Sequence, residues 1–320
     1  MFQAAAGSRT RSDWKQEAAM QHVPCGLCGG HDEQLLHVKQ VPDGDRPTAY
    51  RVVRCNACGL VYVNPRQQEE HVTEIYRDAG YFSRAEDSTT GYSHYVADKD
   101  LHVLFFQEQL TALESRIPRG RLLDVGCAYG FLLEAAARRG WQPRGVELSA
   151  DAAEHVRREF GLPVFNGKLR DARFADAEFD AVVMNDVIEH MTDPLAELRE
   201  VQRLLRPGGM VMLHTPNEAS PWHWLMGSRW IHLKPAEHLY YFSPATLSEM
   251  LRRAGFEVLY ARPRAKMTNA AYIAGVLGKM SPTLGRGLAW VAERMPLMKW
   301  PFPFRGGGFE VLARKVSAGE

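Results

Sequence analysis

Residues 121–147 read RLLDVGCAYGFLLEAAARRGWQPRGVE, and this stretch decides the fold. RLLDVG is a short apolar strand that stops at a turn rich in small residues. FLLEAAARRG then carries helical periodicity as far as Gly140, and RGVELS returns to a strand. Strand, glycine turn, helix, strand is the grammar of a parallel crossover unit.

The rhythm continues downstream. ADAAEHVRREFG (150–161) is a second helix, PVFNG a third strand and FDAVVMND (179–186) a fourth. DPLAELREVQRLLRPGG (193–209) is a helix with Asp193 as N-cap, Pro194 at its first position and Gly208 past its end. GMVMLHTPN (209–217) is a fifth strand, and SPATLSEMLRRAG (243–255) a helix with the same Ser-cap, Pro-first, Gly-last grammar. FEVLYAR (256–262) and GFEVLARK (308–315) supply strands six and seven. The expected fold is α/β: a Rossmann-like, seven-stranded, mainly parallel sheet with helices on both faces. Two excursions interrupt it, 217–242 and 263–307. Loops of that length carry function or structure of their own, and both leave the sheet where a substrate lid could sit. The second contains AAYIAGVLGKM and GLAWVAERMPLMKW, which read as amphipathic helices.

Upstream, LHVLFFQEQLTALESRI (101–117) reads as a helix stopped by Pro118 and Gly120. The expected division is a polar tail at 1–20, a cysteine-bearing unit at 21–65, a linker and helical cover at 66–118, and the α/β domain at 119–320.

CGLC (25–28) and CNAC (55–58) are paired C-x-x-C knuckles. Two residues between thiolates let both sulfurs reach one tetrahedral ion. Cys25, Cys28, Cys55 and Cys58 therefore predict a structural zinc ribbon. Four sulfurs close the coordination shell, so the ion supports folding rather than chemistry. The fifth cysteine, Cys127, lies in the glycine turn. No disulfide framework is indicated, which fits a reducing cytoplasm.

In the turn, Asp124, Gly126 and Gly130 are spaced D-x-G-x-x-x-G, unlike the G-x-G-x-x-G of dinucleotide binders. Glu147 ends the second strand, where a carboxylate can accept both hydroxyls of an adenosine ribose. Asn185 and Asp186 end the fourth strand, beside the crevice of an open α/β sheet.

These residues closely resemble the class I S-adenosylmethionine (SAM)-dependent methyltransferases. D-x-G-x-x-x-G matches their first motif and GVELS their acidic ribose motif; Ala128 stands where a middle glycine is commoner. MNDVIEHMTDPLAELREVQRLLRPGG (184–209) is similar to a stretch of the ubiquinone-type O-methyltransferases. TPN, PAEHLYYFSPATLSEMLRRAGF (235–256) and GLVYVNPR (59–66) resemble the same broad bacterial small-molecule subgroup. The resemblance spans residues 23–262. It implies SAM as cofactor, with Asp124, Gly126, Cys127 and Gly130 around its methionine part and Glu147 on the ribose. Leu148 and the Gly167-Lys168-Leu169 turn would flank adenine, and Asn185 would border the site. DVIEH resembles a motif that holds a divalent cation in some relatives, implying Asp186, Glu189 and His190 as ligands, although those relatives have Glu at the position of Asp186. Glu237-His238 resembles a pair that abstracts a proton in nucleotide-sugar C-methyltransferases, with Pro235 here where a tyrosine is expected. His238, Glu237 and His190 are thus the catalytic candidates, and His214 reads as structural.

Lys and Arg number 39 against 38 Asp and Glu, a formal charge of +1, which argues against a broad nucleic-acid footprint. The ribbon carries only Lys39, Arg46, Arg51, Arg54 and Arg66 as basic residues, and Tyr50 and Tyr62 as its main aromatics. Methyl transfer to a small acceptor (sugar, polyketide-like or lipid-linked) is the expectation. RNA methylation with the ribbon as a handle and a SAM-binding scaffold without turnover are its rivals. No apolar run has the ~18 residues that span a bilayer, and oligomeric state is not legible.

Overall fold

The computed structural model describes residues 20–42, 47–77, 81–83, 95–96, 98–268, 270 and 302–316. The expected 1–20 tail, apart from Met20, and the two amphipathic helices of the second excursion, apart from Ala270, lie outside the described residues.

The chain first builds a small sheet. β1 (Glu33–Val41), β2 (Thr48–Cys55) and β3 (Val61–Val63) are antiparallel neighbours. The linker carries α1 (Glu69–Arg77) and α2 (Lys99–Glu114). Next come β4 (Arg121–Val125), α3 (Phe131–Arg138), β5 (Gln142–Glu147), α4 (Ala150–Phe160), β6 (Val164–Asn166), β7 (Phe179–Asn185), α5 (Pro194–Leu204) and β8 (Leu205–Pro216). The excursion after β8 holds α6 (Pro221–Met226) and β9 (Tyr240–Tyr241). The chain closes with α7 (Pro244–Arg253), β10 (Phe256–Thr268) and β11 (Phe302–Lys315).

The large sheet has seven strands in the order β10-β11-β8-β7-β4-β5-β6. β8, β7, β4, β5 and β6 are parallel, while β11 runs antiparallel to β8 and to β10. From β4 the chain winds outward to β6, then crosses back to lay β7 on the other side of β4. Ligand crevices in open α/β sheets form at such a reversal, outside the strand C-termini.

Alternation along the strands separates two cores. Leu123, Val182, Met184, Val211 and Leu213 face α5, α7 and the small sheet. Leu122, Ala181, Val183, Met210 and Met212 face α2 and α3. Helix starts follow the capping grammar. Asp193 accepts from Ala196 N and Ser149 from Ala152 N, and Ser243 shares a capping box with Thr246.

Three boundaries differ from the sequence expectation. α5 ends at Leu204 and not near Gly208, because Leu205 is already extended and pairs with Phe179. β5 starts two residues earlier than RGVELS, with Gln142 opposite Arg121. The 263–307 excursion is narrower at both ends, since β10 and β11 pair as far as Thr268 and Phe302. Pro263 is tolerated there because β10 is the sheet edge.

The 217–242 excursion does not stand apart. β9 pairs with β3 as fourth strand of the small sheet, Tyr62 opposite Tyr240 and Val61 opposite Tyr241. One face of that sheet presents Cys25, Leu27, Val53, Cys55 and Tyr62 to the main core. Its other face is covered by Met226, Trp230, Leu233 and Ala236 of the excursion.

α2 is tied to the body through Glu114. Its carboxylate accepts from Arg139 Nε (2.9 Å) and Nη2 (2.7 Å), Arg119 Nη2 (3.0 Å) and Trp141 Nε1 (3.1 Å). Arg139, foremost, lowers its pKa from the ordinary 4.5 to about 2. A depressed carboxylate stabilises the fold above its unfolded pKa and loses that contribution as pH falls through the folded one. Glu114→Gln should therefore destabilise by about 2 kcal/mol at pH 7, with the difference from wild type closing between roughly pH 4.5 and 2. Urea titrations at several pH values check this; a pH-independent difference would assign the loss to packing.

Candidate functional site

The turn after β4 is built by close packing. Gly126 and Gly130 have φ of +73° and +74°. A Cβ at Gly126 would fall 2.5 Å from Val187 Cγ2, and one at Gly130 2.6 Å from Val156 Cγ2. The immediate obstacle to a side chain is therefore a neighbouring valine in each case. Ala128 also has positive φ, +47°.

Glu147 closes the turn from β5. Its carboxylate accepts from Ala128 N and Ser149 N, each at 2.8 Å. Asp124 and Glu147 are both buried. Burial raises both carboxyl pKa values, and Glu147 raises that of Asp124 further. Two enclosed carboxylates beside one turn suit a ligand that brings positive charge and hydroxyl donors. Leu148 is half-buried next to them.

Other expected cofactor residues have different occupations. The Cys127 side chain is buried with Leu133, Ala153, Val156 and Val164. Gly167 N donates to Glu147 O, Lys168 Nζ pairs with Glu69 at 2.6 Å, and Leu169 is buried in the core. The Asn185 amide exchanges two hydrogen bonds with Gln109 of α2, at 2.9 and 3.0 Å.

Beyond β7 lie Asp186, Glu189 and His190, the cation ligands that the resemblance implied. The helical turn begins only at Ile188, and Asp186 has φ +53°. Its carboxylate instead meets His214 Nδ1 at 2.7 Å. The ligand atoms that converge are those of Glu189, His190 and His238, all within 4.8 Å of one another. The His190 and His238 rings meet edge to face at 4.6 Å. Burial lowers the His190 pKa to about 4 and that of His238 well below its ordinary value, so both are neutral at pH 7. His190 Nδ1 lies 3.0 Å from the Glu237 carbonyl oxygen, which can only accept. The Glu237 carboxylate is buried 3.9 Å from Lys234 Nζ. His238 Nδ1 is buried with no hydrogen-bond partner among the described residues.

The linker supplies residues that sequence reasoning missed. Tyr76 Oη sits 2.6 Å from His190 Nδ1, and Tyr81 packs on Tyr76 at 5.0 Å. Phe82 and Tyr95 pack on Tyr129 of the glycine turn, and Tyr95 stacks on Phe131. The density of aromatics over 76–95 was the available signal.

In the ribbon, the knuckles match. Gly29 N donates to Cys25 O at 2.8 Å and Gly59 N to Cys55 O at 2.9 Å. Sγ separations are 3.5 Å for Cys25–Cys58 and 3.4 Å for Cys28–Cys55. Bonds of about 2.3 Å to a tetrahedral zinc set sulfurs about 3.8 Å apart, so the four thiols fit such an ion.

Residues 97–261 match the family model described as a methyltransferase domain. A ubiquinone biosynthesis O-methyltransferase from Xanthomonas campestris pv. campestris is 30% identical over 214 residues, 61% of this chain and 87% of that protein. Enzymes of the same name from Methylococcus capsulatus and Cereibacter sphaeroides are each 33% identical, over 47% and 43% of this chain. The chain spans only 63% and 60% of the length of those two. A SAM-dependent methyltransferase structure from Archaeoglobus fulgidus superposes with TM-score 0.47 at 15% identity, covering 69% of this chain and 99% of that one. The chain belongs to the methyltransferase-domain family, and its fold is that of the class I SAM-dependent methyltransferases. Among the described residues, no helix is long and apolar enough to cross a membrane.

Proposed function

We propose that the chain transfers a methyl group from SAM to a small-molecule acceptor carrying an ionisable O–H group. One observation carries this reading. The buried, neutral His190–His238 pair stands at the C-terminal end of β7, the edge that also bears the Asp124–Gly130 turn and Glu147. Bound SAM supplies an electrophilic methyl group on a sulfonium. The residues around it have two tasks. Asp124 and Glu147 hold the donor, with Glu147 on the ribose. His238 takes the acceptor proton as its oxygen attacks, and His190, held by Tyr76 and the Glu237 carbonyl, orients the pair. The names of the ubiquinone-type relatives favour oxygen as the attacking atom.

The ribbon is assigned one structural zinc at Cys25, Cys28, Cys55 and Cys58, supported by the sulfur spacing. An RNA-handle role is disfavoured because three of its five basic residues are turned to the protein: Lys39 donates to Leu233 O, Arg54 pairs with Glu218, and Arg66 donates to Thr192 O. The convergence of Glu189, His190 and His238 supports a second reading, in which a divalent cation there binds the acceptor oxygen.

Calorimetry tests the donor assignment. The protein should bind SAM or its demethylated product and not NAD. Glu147→Ala should weaken binding by about 1.5–3 kcal/mol, roughly 10- to 150-fold, the value of hydrogen bonds to a charged group. Unchanged affinity in a folded variant would show that the ribose partner lies elsewhere.

A further inference from the structure

β9 links two parts of the molecule that the chemistry keeps separate. Leu239 is the junction: its N–H donates to Glu189 O and its carbonyl accepts from Val63 N, both at 2.9 Å. One peptide segment therefore ties the Glu189-His190 turn to the ribbon sheet, and His238 is the residue before it. On the other side, the Tyr240 ring runs into the first cysteine knuckle. It is buried, stacks on Tyr62 at 6.4 Å, and lies under the Arg66 guanidinium at 5.3 Å. Its O–H donates to Thr192 O at 3.3 Å, the same carbonyl that accepts from Arg66 Nη2 at 2.6 Å. Gly26, inside C-G-L-C, makes room for the phenol: a Cβ there would sit 2.6 Å from Tyr240 Oη. The next knuckle residue, Leu27, accepts through its carbonyl from Arg253 Nη1 of α7 at 2.6 Å.

Packed side chains and paired strands pass a displacement on, because interiors are close-packed and yield little. The path Gly26, Tyr240, Leu239 ends on both histidines. Asp124 and Glu147 hang on β4 and β5, farther along the large sheet than β7.

We propose that Tyr240 is a positioning residue. Seated against the cysteine knuckle, it holds His238 against His190, so that the metal state of the four cysteines sets the acceptor side of the crevice and leaves the donor side intact. This rests on the assignment of the histidines to the acceptor, so its test reads geometry and not turnover.

Full-length protein labelled with nitrogen-15 histidine is compared zinc-loaded, chelator-stripped and as Gly26→Ala, which retains all four thiols but presses on Tyr240. The readouts are the His190 and His238 ring resonances, exchange of the Leu239 amide and calorimetric SAM affinity. In the stripped protein and in Gly26→Ala both rings should shift and Leu239 should exchange at least about tenfold faster, with SAM affinity within about twofold. Unmoved rings and unchanged Leu239 exchange in Gly26→Ala overturn the proposal, as does SAM affinity falling in step, which would mean general unfolding. If stripping unfolds the chain, Gly26→Ala decides alone. A loaded protein that binds no SAM contradicts the methyl-transfer reading, while the ring shifts still report on Tyr240.

Discussion

His238→Ala is expected to lower turnover by about 10²- to 10⁴-fold, the usual contribution of a positioned general base, and to leave SAM affinity unchanged. The ring is buried and neutral, and its Nδ1 has no hydrogen-bond partner among the described residues. A neutral imidazole has a ring-nitrogen lone pair that can take up a proton. The donor-side carboxylates lie on other strands, which is why affinity and rate should separate. Chelation of the wild-type protein distinguishes the two readings of the cluster. If Glu189, His190 and His238 hold a cation, chelation should abolish activity in the wild type and magnesium should restore it, provided the ribbon keeps its zinc. If His238 acts as base alone, chelation should leave the rate unchanged. Normal turnover of His238→Ala on the true acceptor would reduce the histidine to a packing residue.

The parts of this molecule legible in the sequence are those encoded locally. The D-x-G-x-x-x-G turn, the caps at Ser149, Asp193 and Ser243, and the paired C-x-x-C knuckles are each set by residues within a few positions of one another. The strand alternation at Leu122-Leu123 and Val182-Val183 likewise announces a sheet covered on both faces. Illegible features depend on distant partners. Tyr240-Tyr241 is too short to read as a strand, and becomes one only because Val61 and Tyr62 lie beside it. The excursion 217–242 therefore looked like a lid, whereas its described residues cover the ribbon sheet and deliver Glu237 and His238 to the crevice edge.

The cation ligands show the same limit at short range. The resemblance implied Asp186, Glu189 and His190 as ligands, but Asp186 has positive φ and its carboxylate meets His214. The third converging group, His238, comes from the far side of β8 and no spacing rule reaches it. Gly126 and Gly130 were correctly read as turn glycines; that Val187 and Val156 press on them required coordinates.

Cys55→Ser is expected to remove zinc from the ribbon and with it the fourth sulfur of a closed site. Elemental analysis should give about one zinc per wild-type chain and little in the variant. Structural zinc in small Cys-rich units contributes on the order of 10–16 kcal/mol of apparent binding energy, which is also folding energy. The ribbon buries few side chains of its own: one face of its sheet depends on the main core and the other on the excursion. Without zinc, the two knuckles keep backbone turns such as Gly29 to Cys25 and Gly59 to Cys55, but no bond joins their sulfurs through a common ion. The loss should therefore appear as a separate low-temperature transition, with β1–β3 exchanging amide protons early while β4–β8 remain protected. Cys127→Ser is the control. Cys127 sits in a different cluster, against Leu133 and Val156, and its replacement should leave zinc at one per chain. Full zinc content in Cys55→Ser, or equal loss in both variants, would remove the four-cysteine assignment.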